Sequence, residues 1–409
     1  MFNLQLECDR PHKISSQNSD HVLRVRLIPQ KNAHTRTLPL RMAIALDTSQ
    51  SMSGEKLNYA KESCRTVVRQ LRDQDQLSLA SFSSEVKPLL DKVSNNTITV
   101  TDNAINQLKA EGVTRADLAL NWLKNALPPE TETVRVGILI TDGHPTNNQG
   151  KILENLDLLI NQTAELAQEG IILCTIGLGN ANNFNTEFLV NLSDQGKGAF
   201  LYAETPEELT PQLQERLTAC QTIITEEIQL QLQLLNGSII KGFCQMRPEY
   251  LPLEETAANQ LTLSGIRADQ PTDILLLISV PPLAFGQNLT NIPVITVTLN
   301  ANGMQTISET ASIKYTNSYR EAQEINEEVN KDRLFWIINQ SSTELTRTQD
   351  PNKTGELLVE IQVAAMKSGQ TAIANQTAQQ LEELQKQGKL NSAQTTGLLR
   401  DTRKLGGKQ

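Results

Sequence analysis

A chain of 409 residues with 38% hydrophobic and 20% charged residues has room for two or three domains and enough apolar material for their cores. Its net charge of −9, without any basic block, excludes nucleic acid as a general partner, because phosphate binding rests on clustered Lys and Arg. Aromatics make up only 4%, so the cores must be aliphatic, and the five scattered cysteines form no CxxC pair and read as free thiols of a reducing compartment.

Residues 1–36 read as β-structure, since FNLQLEC and HVLRVRLIP alternate apolar and polar side chains. MFNLQLECDR has no basic stretch leading into an apolar core, so no signal peptide is expected. From about 40 to 220 short aliphatic runs alternate with amphipathic segments: RMAIALD, EKLNYAKESCRTVVRQLR, DQLSLASFS, RADLALNWLKNAL, VRVGILITDG, and on to TPEELTPQLQERLTAC. Continuous aliphatic strands alternating with helices predict a doubly wound, Rossmann-like α/β sheet. Ser53 before Gly54 and Thr205 before Pro206 mark helix starts. From about 222 the β texture returns. EIQLQLQLL alternates strictly, and NQLTLSGI, DILLLISVP, PVITVTL and QTISETASIKY follow between turns, as in an antiparallel sandwich. Residues 317–409 predict a small helical unit and a frayed KLGGKQ tail. The longest apolar runs are too short and too Pro-broken to span a bilayer, so a soluble, cytoplasmic protein is expected.

Four segments are therefore expected: strands of 1–36 that contribute to a β-sandwich, an α/β domain over 37–221, the sandwich itself over 222–316, and helices over 317–409. Thirty-six residues are too few for a β domain, so their strands need partners from 222–316.

MAIALDTSQSMSGEKL carries the chemistry. An aliphatic strand runs into Asp47, and Ser49 and Ser51 follow in the loop before a helix. Ligands of α/β folds bind at that strand end. A carboxylate with neutral hydroxyl oxygens suits a hard divalent cation such as Mg²⁺ or Mn²⁺, with Ca²⁺ as a competitor. In GVTRADLAL, Thr114 sits just after a glycine and before a helix, where it is also a candidate N-cap. In VGILITDGHP, Asp142 is a second acid at the end of a second aliphatic strand. His144 reads as a rim residue. No GxSxG elbow or GxxxxGK[ST] loop is present.

Asp47-x-Ser49-x-Ser51, with the later Thr114 and the Asp142 of TDG, resembles the von Willebrand factor type A domain of bacterial intracellular proteins. The resemblance covers about 39–220. It implies that these five positions form a metal-ion-dependent adhesion site. Ser49, Ser51 and in some members Thr114 would contact the ion directly, and Asp47 and Asp142 partly through waters. A partner protein's Glu or Asp would complete the coordination. The implied function is metal-dependent protein–protein interaction, without enzymatic turnover. Two alternatives stand beside it. One is an accessory subunit of an AAA+ ATPase machine of MoxR or chelatase type, or a partner of a signalling protein. The other is a Mg²⁺-dependent phosphohydrolase, against which the second acid two residues after the first is here Ser49.

Overall fold

The computed structural model describes residues 2–30, 36–284, 288, 290–301 and 305–407. Two compact units emerge: one contains residues 36–226 and 390–400, the other 1–35, 227–389 and 401–409. Among the described residues no helix is long and apolar enough to cross a membrane.

The first unit is built on a six-stranded sheet. In spatial order its strands are Val86–Val93, Gln76–Phe82, Leu40–Asp47, Val134–Thr141, Ile171–Leu178 and Lys197–Ala203. All pair in parallel except the Val86–Val93 edge, which is antiparallel. Counted within the unit the order is 3-2-1-4-5-6, which reverses between Leu40–Asp47 and Val134–Thr141. Such a reversal opens a crevice at the carboxyl ends of the two strands. Both strands are aliphatic because both their faces are covered. Met42, Ile44 and Leu46 join one core with Leu57, Cys64 and Val67 of the Glu55–Arg69 helix and Leu213 of the Leu209–Gln221 helix. Ala43 and Ala45 point the other way, into a core with Leu120 and Leu123 of Ala116–Ala126 and Leu192 of Thr186–Gln195. The chain enters and leaves this unit side by side. Leu38 N–H donates to the Ile223 carbonyl at 2.9 Å, and the Arg72 guanidinium binds both Thr37 Oγ1 and the Gln221 carbonyl, at 2.7 and 2.8 Å.

The second unit has two mostly antiparallel sheets. Phe2–Cys8, Ser19–Pro29, Thr272–Val280, Ile239–Arg247 and Leu251–Pro252 form one. Glu255–Ala257, Gln260–Arg267, Ile223–Leu234, Asn291–Asn300, Ile307–Thr316 and His12–Ile14 form the other. Strands from the first 30 residues thus sit in both. In Ile223–Leu234 the side chains of Ile228, Leu230 and Leu232 are buried while Gln229 and Gln231 face solvent, the alternation of a half-buried strand. Helices Glu327–Leu345, Pro351–Lys367 and Thr371–Gln387 follow.

Charged residues fasten the Glu327–Leu345 helix to its sheet. Asp332, fully buried on that helix, accepts from Arg24 Nη1 at 2.9 Å and from Arg247 at 2.6 and 2.8 Å. Arg247 also binds Asp273 at 2.6 Å, and Asp273 accepts two bonds from Arg26 at 2.8 Å.

The last helix, Ser392–Arg403, departs from the sequence reading, which placed it with the C-terminal helices. Its residues 392–400 group with the α/β unit. Leu399 is buried in the core around Leu120, Phe184 and Tyr202, and Thr396 Oγ1 bonds Thr186 Oγ1 at 2.7 Å. The tail expected to fray keeps Leu405 buried; Lys408 and Gln409 lie outside the described residues.

Candidate metal centre

The crevice at the strand reversal is where the sequence motif lands. Asp47 is the last residue of its strand, and Asp142 directly follows Val134–Thr141. Both carboxylates are completely buried. The loop after Asp47 turns back on it: Ser49 N–H donates to Asp47 Oδ1 at 2.7 Å, an Asx-type turn that stops the strand. A short 3₁₀ turn, Gln50–Met52, then presents Ser51. Ser49 Oγ and Ser51 Oγ lie 3.0 Å apart, and Ser51 Oγ donates to Asp142 Oδ1 at 2.7 Å. Two strands and one loop therefore bring four of the five predicted residues into one hydrogen-bonded chain.

Thr114 reaches the same place by another route. Its loop is clamped to the first one by Glu111 N–H to Thr48 O (2.8 Å) and Gln50 N–H to Gly112 O (3.2 Å). It is clamped to the Asp142 loop by Thr146 N–H to Thr114 O (2.9 Å). A Cβ added to Gly143 would stand 3.0 Å from Thr114 Oγ1 and 3.7 Å from Ser51 Oγ, so both hydroxyls crowd the glycine of TDG. Thr114 is not the cap the sequence suggested. The helix begins at Ala116 with Arg115 in the N-cap position and no side-chain capping bond.

Two residues missed in the sequence complete the arrangement. Thr141 Oγ1 donates to Asp47 Oδ2 at 2.5 Å and accepts from Gly143 N–H at 3.2 Å. Lys56, on the first turn of the Glu55–Arg69 helix, puts its ammonium on Asp142 Oδ2. Thr141 was visible as the residue before Asp142, but nothing in the sequence tells that its hydroxyl crosses to the neighbouring strand. His144 is half-buried beside the site; burial lowers its pKa against the opposing effect of a bond with the Asn182 backbone.

The donors suit a divalent ion. All five predicted residues offer oxygen, the ligand type of hard cations, and none offers sulfur or nitrogen. Burial pushes the Asp47 carboxyl up to about 6, and the Asp142 charge adds to the rise, while Thr141 and Ser49 hold it down. A carboxylate so placed gains from a nearby cation. Ser51, alone among the five, is solvent-exposed, so the cluster opens on that side.

The family model of the von Willebrand factor type A domain matches residues 42–216. An uncharacterized protein of Synechocystis is 25% identical over 278 residues, 66% of this chain and 64% of that protein. The chain thus spans less than two thirds of that relative. A solved von Willebrand factor type A structure from Catenulispora acidiphila is similar at a TM-score of 0.76 and 14% identity, over 98% of this chain and 97% of that one. The ArnB paralog VWA2 from Sulfolobus acidocaldarius is similar at 0.59 and 17%, over 98% of both chains. At these identities the two structures speak for the fold alone.

Proposed function

We propose, since residues 42–216 are a von Willebrand factor type A domain, a kind of domain that binds other proteins, that this chain docks a protein partner through a divalent ion. Asp47, Ser49, Ser51, Thr114 and Asp142 would hold the ion, and Mg²⁺ or Mn²⁺ fits this all-oxygen set best. The bound ion would supply an open coordination position and residual positive charge for a Glu or Asp of the partner. The chain's own residues do the rest. Thr141 orients Asp47, Lys56 orients Asp142, and Gly143 leaves room for the two hydroxyls beside it. The observation that carries this reading is the convergence of two buried carboxylates and three hydroxyls at the strand reversal, with Ser51 alone facing solvent. We read the site as a docking point without turnover. Lys56 is committed to Asp142 and Thr141 to Asp47, so both serve to hold the two carboxylates in place.

Titration of the full chain with Mn²⁺, followed by electron paramagnetic resonance and calorimetry, tests the reading. One ion per chain is expected, displaced by Mg²⁺ and lost in Asp47→Ala and Asp142→Ala. Unchanged binding in both variants overturns it. Partner capture compared in Mg²⁺, in EDTA and with Asp142→Ala then asks whether docking uses the ion; equal capture in all three places the interface elsewhere.

A further inference from the structure

Within the β unit, Cys8, Asp9 and His21 bring three kinds of metal donor together. Cys8 ends the Phe2–Cys8 strand, Asp9 follows it, and His21 stands on the adjacent antiparallel strand Ser19–Pro29. The pairing Cys8↔Leu23 puts His21 just past the last rung, beside the end of the first strand. Two backbone bonds tie the chain there: Asp9 N–H to Val22 O (2.9 Å) and Val22 N–H to Asp9 Oδ1 (3.0 Å). His21 and Asp9 are buried, and Cys8 is partly exposed.

The donor atoms form a nearly equilateral triangle. Cys8 Sγ is 3.6 Å from Asp9 Oδ1 and 3.8 Å from His21 Nδ1, and Nδ1 is 3.8 Å from Asp9 Oδ1. With Zn–S about 2.3 Å and Zn–N or Zn–O about 2.0–2.2 Å, neighbouring donors of a tetrahedral zinc site stand about 3.3–3.6 Å apart. The triangle is thus close to one face of such a site. The Arg10 carbonyl, 3.1 Å from His21 Nδ1, is an oxygen within reach for a fourth position. Ser19 Oγ, 2.9 Å from His21 Nε2, stands where a ligating histidine needs an acceptor for its other N–H. Arg10 Nε, 3.7 Å from Asp9 Oδ2, leaves Oδ1 to the cluster.

We propose that Cys8, Asp9 and His21 form a second cation site, for a borderline ion of the Zn²⁺ class, chemically distinct from the all-oxygen set around Asp47. Sulfur and imidazole donors select such an ion over Mg²⁺. A thiolate and a carboxylate would cancel its two charges, which a buried site requires. On binding, the Cys8 thiol gives its proton to solvent. For Nδ1 to ligate the ion, the imidazole proton must lie on Nε2 and be donated to Ser19 Oγ, in place of the Nδ1–H bond to the Arg10 carbonyl.

Co²⁺ is the probe, added to the full reduced chain after EDTA treatment and dialysis. The expected result is a thiolate-to-cobalt charge-transfer band in the near ultraviolet. It saturates at one equivalent, is displaced by Zn²⁺ and not by excess Mg²⁺, and persists in Asp47→Ala. Cys8→Ser and His21→Gln should abolish it with the circular dichroism spectrum unchanged. Because Asp47→Ala leaves the band intact, failure here is distinct from failure of the docking site. A wild-type chain with no band in large Co²⁺ excess overturns the proposal, and so does a band that survives Cys8→Ser. If His21→Gln does not fold, Cys8→Ser at a partly exposed position still decides.

Discussion

Lys56 takes one oxygen of the Asp142 carboxylate and leaves the other to Ser51. The ammonium sits on Oδ2 while the Ser51 hydroxyl donates to Oδ1 at 2.7 Å. The lysine stem lies over Gly179, where an added Cβ would come within 3.1 Å of Cε. A divalent ion drawn to Asp142 therefore meets a charge of its own sign already in place. At an effective dielectric of about 20, like charges a few ångströms apart repel by several kcal/mol before screening. Lys56 is 24% exposed, which reduces the effect. Lys56→Met is expected to tighten Mg²⁺ or Mn²⁺ binding by about tenfold, or ~1.4 kcal/mol. Calorimetry on the full chain checks it; weaker binding would mean that orienting Asp142 outweighs the repulsion.

Thr141 is the hinge between the two acidic strands. Itself buried, it donates to the buried Asp47 and accepts from Gly143 N–H. Thr141→Val should cost about 1–3 kcal/mol in urea unfolding, because a buried carboxylate loses its donor. Thr141→Ser should recover most of that loss. Equal stability of the Val variant and wild type would show that the bond contributes nothing net.

Asp332 is shared by two arginines in the β unit. Removing one partner of a buried ionic cluster leaves charge uncompensated, at a cost of about 3–5 kcal/mol. Asp332→Asn should approach the lower end, since Arg24 keeps Glu7 and Glu328 and Arg247 keeps Asp273. Denaturant titration that separates the two units' transitions would read it. A change within experimental scatter would contradict the role given to Asp332 in holding the Glu327–Leu345 helix.

Acid should weaken the same cluster. Burial alone would raise the Asp273 pKa, but Arg26 and Arg247 together outweigh it and hold the group below its ordinary 3.8. A folded value below the unfolded one means that the stabilisation is present above about pH 4 and is lost as pH falls below it. Asp273→Asn should flatten the stability profile in that acid window while lowering stability at neutral pH. A wild-type slope that persists in the variant would assign it to other carboxylates.

The α/β architecture was legible because the central strands are aliphatic runs alternating with helices, and the run into Asp47 and the run into Asp142 end alike. Which elements touch was harder to read. Arg24 and Arg26 alternate with apolar residues in HVLRVRLIP and look like a solvated face. Arg24 is instead fully buried, because Asp332, over 300 residues away, pairs with it. The 3.6-residue period of Ser392–Arg403 announces a helix but not its neighbours, so its place in the α/β core was hidden. Lys56 was equally silent: a lysine on the first turn of a helix is usually solvated, and only the folded crevice gives it a carboxylate. His21 lies in the same alternating strand, and its cluster depends on a register that sequence periodicity does not fix.

The Leu38–Ile223 closure and the Thr186–Thr396 bond bear on how such a gene can be rearranged. Residues 36–226 begin and finish at one hydrogen bond, the geometry of a cassette that recombination can lift from one host protein into another. Yet eleven residues near the far end of the chain, 390–400, are filed in the same core. A transplant of the cassette alone would arrive with the berth of Leu399 empty and the Thr186 hydroxyl without its partner. A transfer of this module to a new host would therefore need both stretches, 36–226 and 390–400, or a new side chain to refill that berth.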